Sequence, residues 1–73
     1  MDLNKGDRLK ELRSINNWTQ EDLARNSGVK LATIQKLEGG FNNIRKAQFN
    51  TLYGLARAFG VSIEYLVGVS DVA

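Results

Sequence analysis

The chain has 73 residues, with ten lysines and arginines against eight aspartates and glutamates, and it contains no cysteine, histidine or proline. A chain this short forms one domain near the lower limit of independent folding, burying about 60% of its unfolded surface, without disulfides or a cysteine-built metal site to staple it. With no histidine or cysteine, no paired carboxylates and no phosphate-cradling loop, the usual acid–base, nucleophilic and zinc chemistries lack their residues, so no catalytic residue, metal ligand or cofactor is expected.

No apolar N-terminal run leads into a small-residue cleavage site, and no apolar stretch approaches the ~20 residues of a membrane span. A cysteine-free chain also suits a reducing compartment. The expectation is a cytoplasmic protein without a membrane partner.

Asp7 to Asn16 reads as the first helix, with Leu9, Leu12 and Arg13 on one face and Asn17 as the left-handed residue that ends it. Trp18 links it to the second helix and is expected in the core rather than as a platform for a base. Thr19 has the side-chain oxygen an N-cap needs, and Asp22 follows three residues later, close to a capping box. Leu23, Ala24 and Ser27 give this helix a narrow inward face, and Gly28 supplies the positive φ that ends it. The third helix runs to Glu38, with Ile34 and Leu37 inward and Ala32, Thr33 and Lys36 outward. Gly39 and Gly40 end it, and Phe41 and Ile44 in the next loop are expected to fold back onto the core.

The fourth helix is predicted from about Lys46 to Phe59, with Phe49, Leu52, Ala56 and Phe59 at helical spacing along one face and Gly60 at its end. Ser62 N-caps a short fifth helix holding Ile63 and Leu66, and residues 67–73 are expected to fray or to meet a partner. The chain contains no repeat, low-complexity segment or internal linker. The expectation is an all-α, compact five-helix bundle, a single domain over 1–73 with its core at about 7–67.

Net charge is +2, and its distribution says more than its size. Residues 1–29 are balanced, residues 47–73 carry −1, and residues 30–46 carry +3 from Lys30, Lys36, Arg45 and Lys46 against Glu38. The excess sits on the third helix and the loop after it, where contact with a phosphate backbone would need it. A helix whose outer face is uncharged except for one lysine is odd for a solvated surface, and it fits a DNA major groove.

Within that face Lys36 can reach guanine O6 and N7, or else a phosphate, and Ala32 can meet a thymine methyl or simply give the helix room. Gln20, at the first turn of the second helix, can bond a phosphate where the helix N-terminus adds partial positive charge. Lys30 and Thr33 are expected at phosphates, and Asn42, Asn43, Arg45 and Lys46 are candidates for the opposite backbone, although paired asparagines also make ordinary turns. Arg13 and Glu38 both start from inward faces. An unpaired charge there would be costly, which argues that they meet as a structural ion pair.

The order of residues resembles the helix-turn-helix of the Cro/repressor (XRE-like) family. Thr19-Gln20 opens the first helix of the motif, Leu23-Ala24 and Gly28-Val29 follow, and Thr33, Ile34, Leu37 and Glu38 complete it over about 19–38. The likeness continues through Leu55-Ala56-Arg57-Ala58-Phe59-Gly60-Val61-Ser62 to Tyr65-Leu66, so it covers about residues 7–67. It implies a lambda-repressor-like fold and adds Thr19 and Leu31 to the DNA-facing set, Leu31 either on a thymine methyl or in packing. It also implies that the glutamine matching Gln20 clamps the backbone while bracing the third helix, and that residues matching Arg13 and Glu38 bridge the first and third helices. The chain departs from the family in a loop about three residues longer over 39–48, in Lys30 where serine or threonine is usual, and in Gln48 where a better cap is common.

Sequence-specific binding of double-stranded DNA by a small prokaryotic or phage transcriptional regulator is therefore expected, as a homodimer on a palindromic operator. Tyr65, Val67, Val69 and Val72 are the predicted interface, with covering the base of the bundle as their other role. The alternative partner is a protein: a toxin that the chain neutralises as an antitoxin, or another regulator. No ligand-sensing domain is expected in a chain of this length.

Overall fold

The computed structural model of the chain describes residues 7–39 and 43–72. Five α-helices follow in order among these residues: α1 (Asp7–Ile15), α2 (Gln20–Ser27), α3 (Leu31–Glu38), α4 (Phe49–Phe59) and α5 (Ile63–Leu66), with a 3₁₀ turn at Ile44–Lys46. Gly40, Phe41 and Asn42 lie outside the described residues.

The helix ends are set locally. Asn17 takes φ 57°, the Asn17 amide donates to the Ser14 carbonyl at 3.0 Å and the Trp18 amide to the Arg13 carbonyl at 3.0 Å. That pair of bonds closes α1 as a Schellman motif, with asparagine tolerating the left-handed position. Gly28 ends α2 at φ 75° with its amide on the Ala24 carbonyl, leaving two residues before α3 begins. At the start of α5 the Ser62 hydroxyl accepts from the Tyr65 amide.

Leu9, Leu23, Ile34, Leu37, Ile44, Leu55 and Leu66 are sealed from solvent, so every described helix and the 3₁₀ turn contribute to one core. Trp18 packs against it and stacks on Phe59 with ring centroids 5.6 Å apart, joining the α1–α2 link to the end of α4. The end of α2 passes so close to α4 that a Cβ at Gly54 would sit 2.7 Å from the Ser27 carbonyl oxygen. Glycine at 54 therefore fixes how near the helix-turn-helix lies to the helix behind it.

Three expectations change. The fourth helix begins at Phe49 rather than near Lys46, because residues 44–46 form their own turn and Ala47 and Gln48 are extended. The Asn43 side chain starts that turn by accepting from the Arg45 amide, and no side chain caps α4 at Gln48. Phe49 is 65% exposed and stacks on Tyr53, leaving Leu52, Leu55 and Ala56 as the buried stripe of α4. Val67 is buried, and the segment after it turns through Gly68 at φ 82° with the Val69 amide on the Glu64 carbonyl at 3.0 Å. Only Val69 and Val72 of the expected C-terminal apolar set stand well exposed.

Candidate nucleic-acid interface

Thr19 sits at φ −76°, ψ 170°, and its hydroxyl accepts from the Asp22 amide at 3.0 Å while the Asp22 carboxylate accepts from the Thr19 amide at 2.9 Å. This capping box orients the first turn of α2. The Thr19 backbone hydrogen bond, helped by the hydroxyl and by nearby Arg25, holds the Asp22 carboxyl below its ordinary value. Both Thr19 and its neighbour Gln20 therefore stand at a helix N-terminus of settled geometry, with Thr19 exposed and Gln20 half-buried.

Gln20 is aimed by Glu38. Its amide nitrogen donates to Glu38 Oε1 at 3.2 Å, leaving its second N–H unassigned. Arg13 meets the same carboxylate as a fork, Nε to Oε2 at 2.8 Å and Nη2 to Oε1 at 2.9 Å, and donates from Nη1 to the Trp18 carbonyl at 2.9 Å. The Glu38 side chain is 2% exposed and that of Arg13 18%. The hydrogen bonds that the Arg13 guanidinium donates to Glu38 hold it above its ordinary value despite the opposing effect of burial. One carboxylate thus ties α1, the head of α2 and the end of α3 together.

On α3 the inward stripe of Ile34, Leu37 and Glu38 is buried, and Ala32, Gln35 and Lys36 are exposed. Leu31 and Thr33 are half-buried at its flank, and Lys30 is exposed at the N-cap without a capping side chain. Gln35 belongs to this outer face beside Ala32 and Lys36, and sequence reasoning passed over it. Its three-residue spacing from Ala32 was the available signal.

Two adjoining grooves run along the flank of α3. One of about 510 Å³ is lined by Thr33, Leu37, Asn43, Lys46, Ala47, Gln48 and Thr51. The other, of about 330 Å³, is lined by residues 27–30 together with Thr33, Gln48, Asn50 and Thr51. Thr33, Gln48 and Thr51 belong to both, so Lys30, Thr33, Asn43 and Lys46 border one continuous trough. Gln48, Asn50 and Thr51 add a polar wall from the start of α4. Arg45 is not among the lining residues. Its Nε donates to the Val67 carbonyl at 3.0 Å, and Nη2 lies 3.5 Å from that of Gly68. The remaining expected contact, Asn42, is outside the described residues.

The family described as "Helix-turn-helix domain" matches residues 6–72. An uncharacterized transcriptional regulator in the ATPase CF(0) region of Rhodospirillum rubrum is 38% identical over 65 residues, which cover 89% of this chain and 57% of that protein. An uncharacterized HTH-type transcriptional regulator of Archaeoglobus fulgidus is 42% identical over 57 residues, covering 78% of this chain and 76% of the relative. Among solved structures, the restriction-modification controller protein C.AhdI from Aeromonas hydrophila superposes with a TM-score of 0.73 at 31% identity, covering 84% of this chain and 88% of that one. The chain thus spans little more than half of the first of these relatives. With α2 and α3 folded as the motif, and the match extending from the start of α1 past α5, the chain belongs to the helix-turn-helix family.

Proposed function

We propose that the chain binds double-stranded DNA sequence-specifically and regulates transcription, laying α3 in the major groove. Ala32, Gln35 and Lys36 face base edges, with Leu31 at the margin on a thymine methyl. Thr19, Gln20, Lys30, Thr33, Asn43 and Lys46 hold the phosphates on either side. The observation that carries this reading is the exposed, nearly uncharged outer face of α3, bordered by a polar trough with a lysine at each end. A short helix with small and amide side chains outward can approach base edges closely, and lysines at its margins neutralise the flanking strands. The reading includes no enzymatic step and a cytoplasmic site of action. No described helix is long and apolar enough to cross a membrane.

One recognition helix reads few base pairs, so the chain is proposed to act as a two-fold dimer on an inverted repeat. Tyr65 is turned under Arg8 and Val67 is buried, which leaves Val69 and Val72 as the exposed apolar residues of the C-terminal segment for this purpose. Selection of bound duplexes from a random pool tests both proposals. Enrichment of inverted repeats with half-sites about 10 base pairs apart is expected. A pool without enrichment would sink specific binding, and asymmetric sites bound one-to-one would sink the dimer. The toxin-binding alternative has no observation of its own to favour it.

A further inference from the structure

The 3₁₀ turn at residues 44–46 sends its three side chains to three different places. Successive residues of a 3₁₀ helix lie about 120° apart around its axis. Ile44 points into the core at 1% exposure, Lys46 lines the trough beside α3, and Arg45 reaches the carbonyls at the end of α5. We infer that Arg45 is a positioning residue for DNA binding: it holds the turn at the rotation that presents Lys46 to the phosphate backbone, and touches no DNA itself.

Both ends of this strut are fixed. At the near end the Asn43 side chain accepts from the Arg45 amide at 2.9 Å, and the Lys46 amide donates to the Asn43 carbonyl at 2.9 Å. At the far end Val67 is buried, and the Val69 and Ser70 amides both donate to the Glu64 carbonyl. Arg8, from α1, donates to the neighbouring Tyr65 carbonyl at 3.2 Å and lies over the Tyr65 ring, so the end of α5 is held by α1 as well. Among the described residues the turn is otherwise held to the core by Ile44, with Ala47 packed beside it, and without Arg45 it can pivot about that contact. A pivot leaves the core intact and swings Lys46 and Asn43 relative to α3. The sequence places Arg45 next to Lys46 and so suggests two phosphate contacts, whereas the geometry gives one contact and its support.

The inference rests on the DNA-binding reading, and a double-mutant cycle separates the two. Wild type, Arg45→Ala, Lys46→Ala and the double variant are titrated on the selected duplex and on a random duplex of equal length, from low to high salt. Salt-dependent binding by the wild type is the test of DNA binding itself. For the cycle, Arg45→Ala and Lys46→Ala are each expected to weaken both duplexes by roughly two- to fivefold, the range of an exposed ion pair. The double variant should be no weaker than Lys46→Ala alone, and all three should lose the same ~0.9 of salt slope. Multiplying losses, with the slope falling by about 1.8 in the double variant, would make Arg45 a phosphate contact and overturn the inference. Unchanged binding in Arg45→Ala would overturn it too. Arg45→Met, which keeps the methylene stem and loses the donors, replaces Arg45→Ala in the cycle if the alanine variant melts below the assay temperature.

Discussion

Glu38 divides two oxygen atoms between three donors, two from Arg13 and one from Gln20, in a setting nearly closed to water. Removing the carboxylate leaves the Arg13 guanidinium without its charge partner, so Glu38→Ala should lose about 3–5 kcal/mol in denaturant unfolding. Arg13→Ala should lose a similar amount, because it strands the still more buried Glu38 carboxylate, and the double variant should lose less than the two losses added. Small additive losses would show a pair that does little. At the outer face Lys36→Ala is expected to lower affinity for the selected site by about 1–3 kcal/mol and to relax one base position, while Gln20→Ala weakens selected and random duplexes alike. Equal loss on every duplex in Lys36→Ala would move that residue to the phosphates. Arg13 and Glu38 were legible as partners because each charge falls on an otherwise apolar stripe. The reach of Arg45 to the Val67 carbonyl was not legible, because position along the chain carries no record of which way a 3₁₀ turn sends its side chains.

The helices were legible where their signals are local. Thr19 with Asp22, the left-handed Asn17 and Gly28, and Ser62 ahead of Ile63 all act within four residues of themselves, so sequence spacing is enough to place them. The start of α4 has no such signal: no proline precedes it, Gln48 offers no cap, and a 3₁₀ turn occupies the residues before it. Gly54 was invisible for another reason, since the atom it avoids belongs to Ser27 on a different helix. Gly54→Ala should therefore cost about 1–3 kcal/mol by overpacking, against the usual gain from replacing a helical glycine, and a melting curve decides the sign. The α2 cap has a pH signature. Asp22 is held below its ordinary value, so its contribution is complete above about 3.8 and is lost as pH falls through the lowered folded value. Asp22→Asn should flatten that part of the acid limb of an unfolding-against-pH curve; an unaltered limb would mean the cap does not matter there.

Over the whole molecule, the cations bordering the trough and outer face of α3 are Lys30, Lys36 and Lys46, with Arg45 turned away. At roughly 0.9 per phosphate contact, log affinity should fall against log salt with a slope of about 2 for each bound protein unit from Lys30 and Lys46, or near 3 with Lys36 also at a phosphate. Affinity indifferent to salt would contradict nucleic-acid binding altogether. Replacing Val69 and Val72 by serine tests the C-terminal surface as a dimer contact, which should weaken a full inverted repeat more than an isolated half-site. Ala32, Gln35 and Lys36 form an exposed row on α3. Among the described residues, none of these side chains bonds to another helix or is buried, while the load of the fold falls on Ile34, Leu37 and Glu38 one face away. In the proposed mode of binding, recognition and folding are written on separate letters of the same eight-residue helix. Such a chain can drift from one operator to another by changes at 32, 35 and 36, each within about 0.5 kcal/mol of neutral for stability, without passing through an unfolded ancestor.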